Sequence, residues 1–318
     1  MTTASVGVDV GGTKILAVLL DGVGRVVAEA RQSTPTGADA PGVVVADAVA
    51  LALADLAVTA GLELAGLPLG VGVPGMLSLD GTLVFSPNLQ SASGADLEAV
   101  MTARLGRRAE LCNDADAAAV AEHRLGAARG ADEFVMVTLG TGIGGGVVSG
   151  GRLVRGAHGF AGEIGHLVID TSGPRCPCGK RGCWERYASG AGVARLAREA
   201  ATAGRLRALV EQRGDPEAVR GEDVTHAAAA GDREALAVLD EVGWWLALGL
   251  SNLAAVLDPS CFVIGGGLAE ASAQLLPSTR RHLTGLLEAG ELRPAIPVVA
   301  AELGYQAGAI GAALLAAG

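Results

Sequence analysis

Apolar residues recur along the chain in short runs that break at glycine. Residues 4–10 alternate small and β-branched side chains, meet Gly11-Gly12-Thr13-Lys14, and resume as the apolar run 15–20 before Asp21-Gly22. This pattern predicts a β-hairpin with the glycines at its tip. Residues 133–139 form a second apolar strand running into GTGIGGG at 140–146; Val147-Val148, Ser149-Gly150-Gly151 and residues 152–154 then read as another hairpin. Two glycine-rich tips, each after an apolar strand, are an internal echo. Further strands are predicted at 69–73, 109–111, 261–264 and 296–300. Helical spacing marks 42–60, 96–105, 115–125, 191–203, 233–257, a stretch from Leu268 onward, and 305–317. The helix at 233–257 stops before Asp258-Pro259, because the residue preceding proline tends to leave the helix. Residues 204–232 read as loops and short helices.

A chain of 318 residues is long enough for two domains with substantial cores. Half of it is hydrophobic but only 3% is aromatic and 48 residues are glycine, so those cores are built from Ala, Val and Leu. The net charge of −10 argues against a nucleic-acid surface, which needs a basic patch to displace counterions. The first residues lack the charged start and apolar core of a signal peptide. Two uncharged windows, 134–151 and 242–257, read as buried soluble elements, the first glycine-rich with Thr and Ser, the second short and holding Ser251 and Asn252. The expectation is a cytoplasmic protein with no membrane partner, in a compartment where thiols stay reduced.

Three of the five cysteines, Cys176, Cys178 and Cys183, follow His166 closely. Three thiolates and an imidazole fill the tetrahedral shell of zinc and leave no room for water, which is the mark of a structural site. The spacing is not the two-pair pattern of zinc fingers. Cys176 and Cys178 are too close to pair comfortably as a disulfide and the total is odd; unrelated buried thiols are the remaining alternative.

The glycine tips suggest anion binding, because glycine lets backbone N–H groups approach a phosphate. Asp9, Gly11, Gly12, Thr13 and Lys14 do not make a Walker A loop, since Thr13 falls between Gly12 and Lys14 and no helix pattern follows. An ordinary tight turn is the alternative there. GTGIGGG satisfies G-x-G-x-x-G, yet the dinucleotide fingerprint requires a helix directly after it, and a hairpin is predicted instead. Gly265, Gly266 and Gly267, after a strand and before a helix, offer a third place for a nucleotide. Asn113 or Asp114 stands at a helix start, where it either caps the helix or presents a carboxylate that accepts a proton. Asn88, in the loop 85–89, could hydrogen-bond a polar ligand or lie exposed.

Taken together, DVGGTK (9–14), NDADAAA (113–119), TLGTGIGGG (138–146), GEIGH (162–166), CPCGKRGCWE (176–185) and VIGGGL (263–268) resemble the ROK family of sugar kinases, in the family's order and over nearly the whole chain. Through GRLVRGAHGFAGEIGH and GCWERYASG the likeness is to the actinobacterial glucokinases of that family. The resemblance implies an α/β protein with the actin-like ATPase (ribonuclease H-like) fold, two domains around a central cleft. The smaller would comprise 1–112 and a returning helix in 304–318, the larger 113–303 with the zinc site. ATP would be held by Asp9, Gly11, Gly12, Thr13, Lys14, Thr138, Gly140, Thr141 and Gly142, with Gly265, Gly266 and Gly267 facing the adenosine. Gly75, Asn88, Asn113, Asp114, Glu163, His166 and Glu185 would surround the sugar, and His166, Cys176, Cys178 and Cys183 would bind structural Zn2+. Asp114 would be the general base for phosphorylation of the glucose 6-hydroxyl in glycolysis, with Mg2+ on the phosphates.

Other hexoses or N-acetylhexosamines (fructose, mannose, allose, N-acetylmannosamine, N-acetylglucosamine) are the alternative substrates, and a non-catalytic sugar sensor the alternative class. The family's repressors carry a DNA-binding segment first, whereas the first strand here begins by Ala4. A homodimer or homotetramer is expected from the resemblance. Two departures stand out. Cys112 occupies a place commonly acidic, which leads one to expect sensitivity to alkylation beside the proposed base, and Gln90-Ser91 stands where an aromatic is common.

Overall fold

The computed structural model describes residues 3–35, 42–271 and 273–318. In chain order it begins with β1 (Ser5–Val10), β2 (Lys14–Leu20), β3 (Val26–Ser33), α1 (Gly42–Ala60) and β4 (Leu69–Val73). Three short strands follow, β5 (Met76–Leu77), β6 (Thr82–Phe85) and β7 (Ala95–Asp96), then α2 (Leu97–Leu105), β8 (Glu110–Asn113) and α3 (Asp114–Leu125). The second half opens with β9 (Phe134–Leu139), β10 (Ile143–Ser149) and β11 (Arg152–Leu153). It continues through α4 (Glu185–Ala188), α5 (Gly190–Thr202), α6 (Arg207–Arg213), α7 (Gly221–Ala229) and α8 (Arg233–Leu257). Last come β12 (Cys261–Gly265), α9 (Gly267–Ala271), α10 (Leu275–Leu286), β13 (Val298–Ala300) and α11 (Ala307–Ala317).

The echo between the two glycine tips extends to whole sheets. One has the order β3-β2-β1-β4-β8 and the other β11-β10-β9-β12-β13, the same path traced twice. In the first, β2 is antiparallel to β1 and β3 to β2, with β4 and β8 parallel on the other side of β1; in the second, β11 is antiparallel to β10, and β12 and β13 lie parallel beside β9.

The chain forms two compact units: residues Met1–Asp132, Gly146–Gly162 and Glu302–Gly318, and residues Glu133–Gly145 and Glu163–Ala301. This differs from a boundary at Cys112. Within unit 1, α3 lies so close to α11 that a Cβ on Gly311 would overlap the carbonyl oxygen of Ala117, so residues 113–132 pack with the first sheet.

Strand alternation explains the layers of unit 1. Val6, Val8 and Val10 of β1 join Ile15, Ala17 and Leu19 of β2 in a core completed by Val45, Val49, Ala52 and Leu56 of α1. The α1 helix is long and apolar enough by composition to cross a membrane, but these residues face that core. On the opposite face, Gly7 and Gly70 leave no room for a side chain, and the α11 backbone at Ala309 and Ala312 fills the space. Asp9 shares that face, against Gly308 near the start of α11.

In unit 2, β12 pairs in parallel with both β9 and β13. The helix predicted from Leu268 onward is the short α9, and Ser272 lies outside the described residues.

Candidate functional site

Unit 1 gathers one set of the expected residues. The tip between β1 and β2 is closed by the Gly11 amide, which donates to the Lys14 carbonyl at 2.9 Å. Thr34, just after β3 and buried, steadies it from behind: its hydroxyl donates to the Gly11 carbonyl at 2.7 Å and its amide to the Thr13 carbonyl at 3.1 Å. Asn88 lies against this tip, its Cγ 3.4 Å from where a Cβ on Gly12 would stand.

The two readings of the α3 start divide between neighbouring residues. Asn113 is the cap, its side-chain oxygen accepting from the amides of Ala115 at 2.8 Å and Asp116 at 3.1 Å. Its amide nitrogen donates to the Gly75 carbonyl at 3.0 Å, which ties the sheet loop to the helix. Gly75 has φ +110°, and a Cβ there would overlap the Phe85 carbonyl oxygen, so the loop requires glycine. Because Asn113 caps the helix, Asp114 occupies the first helical position with its carboxylate at the positive end of the helix dipole.

Asp9 feels Asp114. Burial, and then the Asp114 carboxylate, push the Asp9 pKa up to about 7, opposed by the Lys14 ammonium. A carboxyl raised on folding contributes its stabilisation below its unfolded pKa and loses it as pH climbs through the folded value. The window here is from about pH 4 to about pH 7. In ligand-free protein, Asp9→Asn should therefore exceed the wild type in melting temperature by a clearly larger margin at pH 8 than at pH 5. A melting difference that does not change between those pH values would contradict this coupling.

Cys112 corrects the expectation of alkylation sensitivity. The thiol is 3% exposed, its Sγ faces the Val71 carbonyl, and burial pushes its pKa well above the usual thiol range.

Unit 2 gathers the rest. Strand β10 follows GTG at 140–142 directly, so Gly144, Gly145 and Gly146 lie in a strand and the dinucleotide reading lacks its helix. Gly140 donates its amide to the Gly142 carbonyl at 3.1 Å, closing the second tip. Thr138 of β9 is in register with Gly265 of β12, and a Cβ on Gly266, at φ +89°, would meet the Leu139 carbonyl oxygen at 2.6 Å. The second tip and the third glycine run are thus side by side. A cavity of about 500 Å³ opens beside them, lined by Gly140, Thr141, Gly190, Arg220, Gly221 and Gly267. The contributions of Gly190 and of the α7 start carried no signal in the sequence.

Ligand atoms of His166, Cys176, Cys178 and Cys183 all lie within 4.8 Å of one another. Cys176 Sγ is 3.7 Å from His166 Nδ1, and Cys178 Sγ is 3.5 Å from Cys183 Sγ. Zinc–sulfur bonds of about 2.3 Å would set tetrahedral sulfurs about 3.8 Å apart, so the donor set fits that ion. Trp184 anchors the loop: it is wholly buried, its indole N–H donates to the Trp245 carbonyl at 2.8 Å, and its ring fills a notch on α8 that exists because residue 249 is glycine.

With Nδ1 turned to the sulfurs, His166 Nε2 lies 3.9 Å from Glu163 Oε2. Glu185 Oε1 is 3.7 Å from His166 Nδ1 and accepts from Cys176 Sγ at 3.0 Å. Burial raises the Glu163 pKa; the Glu185 carboxylate adds to the rise and His166 opposes it. Polar groups that can read hydroxyls thus stand beside the cysteine cluster.

The ROK family profile matches residues 5–318. The glucokinase of Streptomyces coelicolor is 37% identical over 316 residues, covering 98% of this chain and 97% of its own. Among solved structures, a ROK family glucokinase from Streptomyces griseus, in complex with glucose and AMPPNP, is 36% identical with a TM-score of 0.86, over 98% of this chain and 99% of that one. The ROK hexokinase from Thermus thermophilus is 35% identical with a TM-score of 0.77, over 98% and 97%.

Proposed function

The chain belongs to the ROK family and has its α/β actin-like ATPase fold, and we propose that it transfers the γ-phosphoryl group of ATP to the 6-hydroxyl of glucose. The observation that carries the mechanism is the division of labour at the start of α3. Asn113 caps the helix by accepting from the Ala115 and Asp116 amides, and the Asp114 carboxylate, whose Oδ1 also accepts from the Ala115 amide at 2.8 Å, serves as general base.

In this reading Gly75, Asn88, Asn113, Asp114, Glu163, His166 and Glu185 are the residues that bind the sugar. Backbone amides at Gly11, Gly12 and Thr13, and at Gly140, Thr141 and Gly142, receive the phosphates. Thr138 and Lys14 flank them, and Gly265, Gly266 and Gly267 take the adenosine side. Phosphoryl transfer passes through a loose transition state, so placing the hydroxyl and neutralising charge matter more than a strong base. Asp114 takes the hydroxyl proton as the oxygen closes on phosphorus. Mg2+ accompanies the nucleotide and supplies positive charge at the phosphates, and Asp9 is the residue that would hold it.

His166, Cys176, Cys178 and Cys183 would hold Zn2+, which fixes the His166 tautomer through Nδ1. His166 Nε2 is then left for a sugar hydroxyl, with Glu163 and Glu185 at its sides.

The test is ADP release with ATP and Mg2+ across glucose, mannose, fructose, allose, N-acetylglucosamine and N-acetylmannosamine. Glucose is expected to give the highest kcat/KM. Preference for another of these sugars would overturn the glucose assignment, and no turnover with any of them would overturn the enzyme.

A further inference from the structure

The second glycine tip and the cysteine cluster are joined by one side chain. Glu185 is largely buried, with 17% of its side chain exposed, and its two carboxylate oxygens serve different neighbours. Oε1 faces the cluster, accepting from Cys176 Sγ at 3.0 Å and lying 3.7 Å from His166 Nδ1. Oε2 rests on the tip: a Cβ on Gly142 would stand 2.5 Å from it. The tip is held to the same piece of chain a second time. The Gly140 carbonyl accepts from the Gly190 amide at 2.9 Å and the Thr141 carbonyl from the Ala191 amide at 3.3 Å, at the start of α5. Ser189, between α4 and α5, locks the connection by donating its hydroxyl to the Glu185 carbonyl at 2.6 Å and accepting from the Gly192 amide at 3.2 Å.

We infer that Glu185 is a positioning residue for the phosphate-binding tip as well as a group that faces the sugar, and that through its contact with Gly142 the two ligands bind cooperatively. This rests on the sugar kinase reading and deepens it. A carboxylate drawn toward a sugar hydroxyl must move relative to Gly142, and a tip reshaped by phosphates must move relative to the carboxylate. Glycine at 142 is what lets the two touch, since a methyl group there would push the carboxylate aside.

The contact predicts effects that cross from one ligand to the other, measured by calorimetry on the full chain with the metal it carries on isolation. Gly142→Ala should weaken glucose binding about tenfold with no nucleotide present, the size of a typical coupling between sites. Thr141→Ala, which removes a side chain from the same tip and leaves Gly142 as it is, should leave glucose affinity unchanged. Reciprocally, Glu185→Ala should weaken Mg2+·AMPPNP binding several-fold with no sugar present. In the Glu185→Ala background, Gly142→Ala should add little further loss of AMPPNP affinity. A merely structural role would give additive losses.

Unchanged glucose affinity in Gly142→Ala, or additive losses of AMPPNP affinity, would overturn the inference while wild-type binding of both ligands keeps the kinase reading intact. Should Gly142→Ala fail to fold, the Glu185→Ala measurement decides alone, and unchanged AMPPNP affinity there overturns it. A wild type that takes up neither ligand would overturn both readings.

Discussion

Asp114→Asn should lower kcat about a thousandfold, within the range for a lost general base, while glucose affinity stays within a few-fold. The amide is the same size, suits the first turn of α3 and can still hydrogen-bond a hydroxyl, so the loss should fall on turnover rather than on KM. The substitution carries a second signature. Since the Asp114 carboxylate helps raise the Asp9 pKa, its removal should move the Asp9 titration to lower pH. Near-normal turnover in Asp114→Asn, with pure folded protein, would remove Asp114 from the role of base.

Gly311→Ala should produce a large loss of stability. In an exposed helix, replacing glycine by alanine stabilises by about 1 kcal/mol, so the opposite sign is the diagnostic result. A Cβ at 311 would overlap the Ala117 carbonyl oxygen, and backbone cannot turn away as a side chain tip can. Overpacking of this kind costs about 1–3 kcal/mol and sometimes more, which for a unit this large corresponds to a melting temperature lower by about 2–12 °C. Thermal unfolding followed by circular dichroism checks it, and a melting temperature equal to or above that of the wild type would mean that α3 and α11 are not packed through their backbones.

The elements legible in the sequence were those with strong local contrast. Strand β1, its glycine tip and β2 could be read because apolar runs stop abruptly at Gly11, and the span of α8 because its spacing persists until Asp258-Pro259. Strand β3 was not assigned: its inward positions are the small Ala28 and Ala30, and its outward ones the polar Glu29 and Arg31, which leaves no large apolar residue at the inward positions to mark a strand. The short strands β5, β6 and β7 are set by loop contacts rather than by any pattern of their own. Helix α10 was hidden by Pro277 in its first turn, where a missing amide costs nothing.

The site divides along the same line. Residue types and spacing pointed to His166, Cys176, Cys178 and Cys183, and the structure brings their ligand atoms together. Spacing could not tell which of Asn113 and Asp114 is the cap, because that depends on side-chain direction. Nor could it find Glu122, a glutamate in an alanine-rich helix like any other. It is fully buried in α3, and its carboxylate accepts from the amides of Ala127 at 2.8 Å and Leu303 at 2.9 Å. A partner so far along the chain leaves no trace in local pattern. The contact of Glu185 with Gly142 escapes sequence reading for the same reason.

The packing of α11 onto Gly7, Gly70 and α3 bears on how the protein comes off the ribosome. Residues 1–132 precede unit 2 in the chain, yet the helix that covers one face of their sheet is synthesised after all of unit 2. Unit 2 ends at Ala301, before α11 is made. The nascent chain must therefore carry β1 and β4 with Gly7 and Gly70 uncovered while the later half folds, an inversion of the usual N-terminal-first order of domain folding. A chaperone that shields exposed sheet would be most needed in that interval, and a stop codon just before Ala307 would cost the protein its first unit rather than its last.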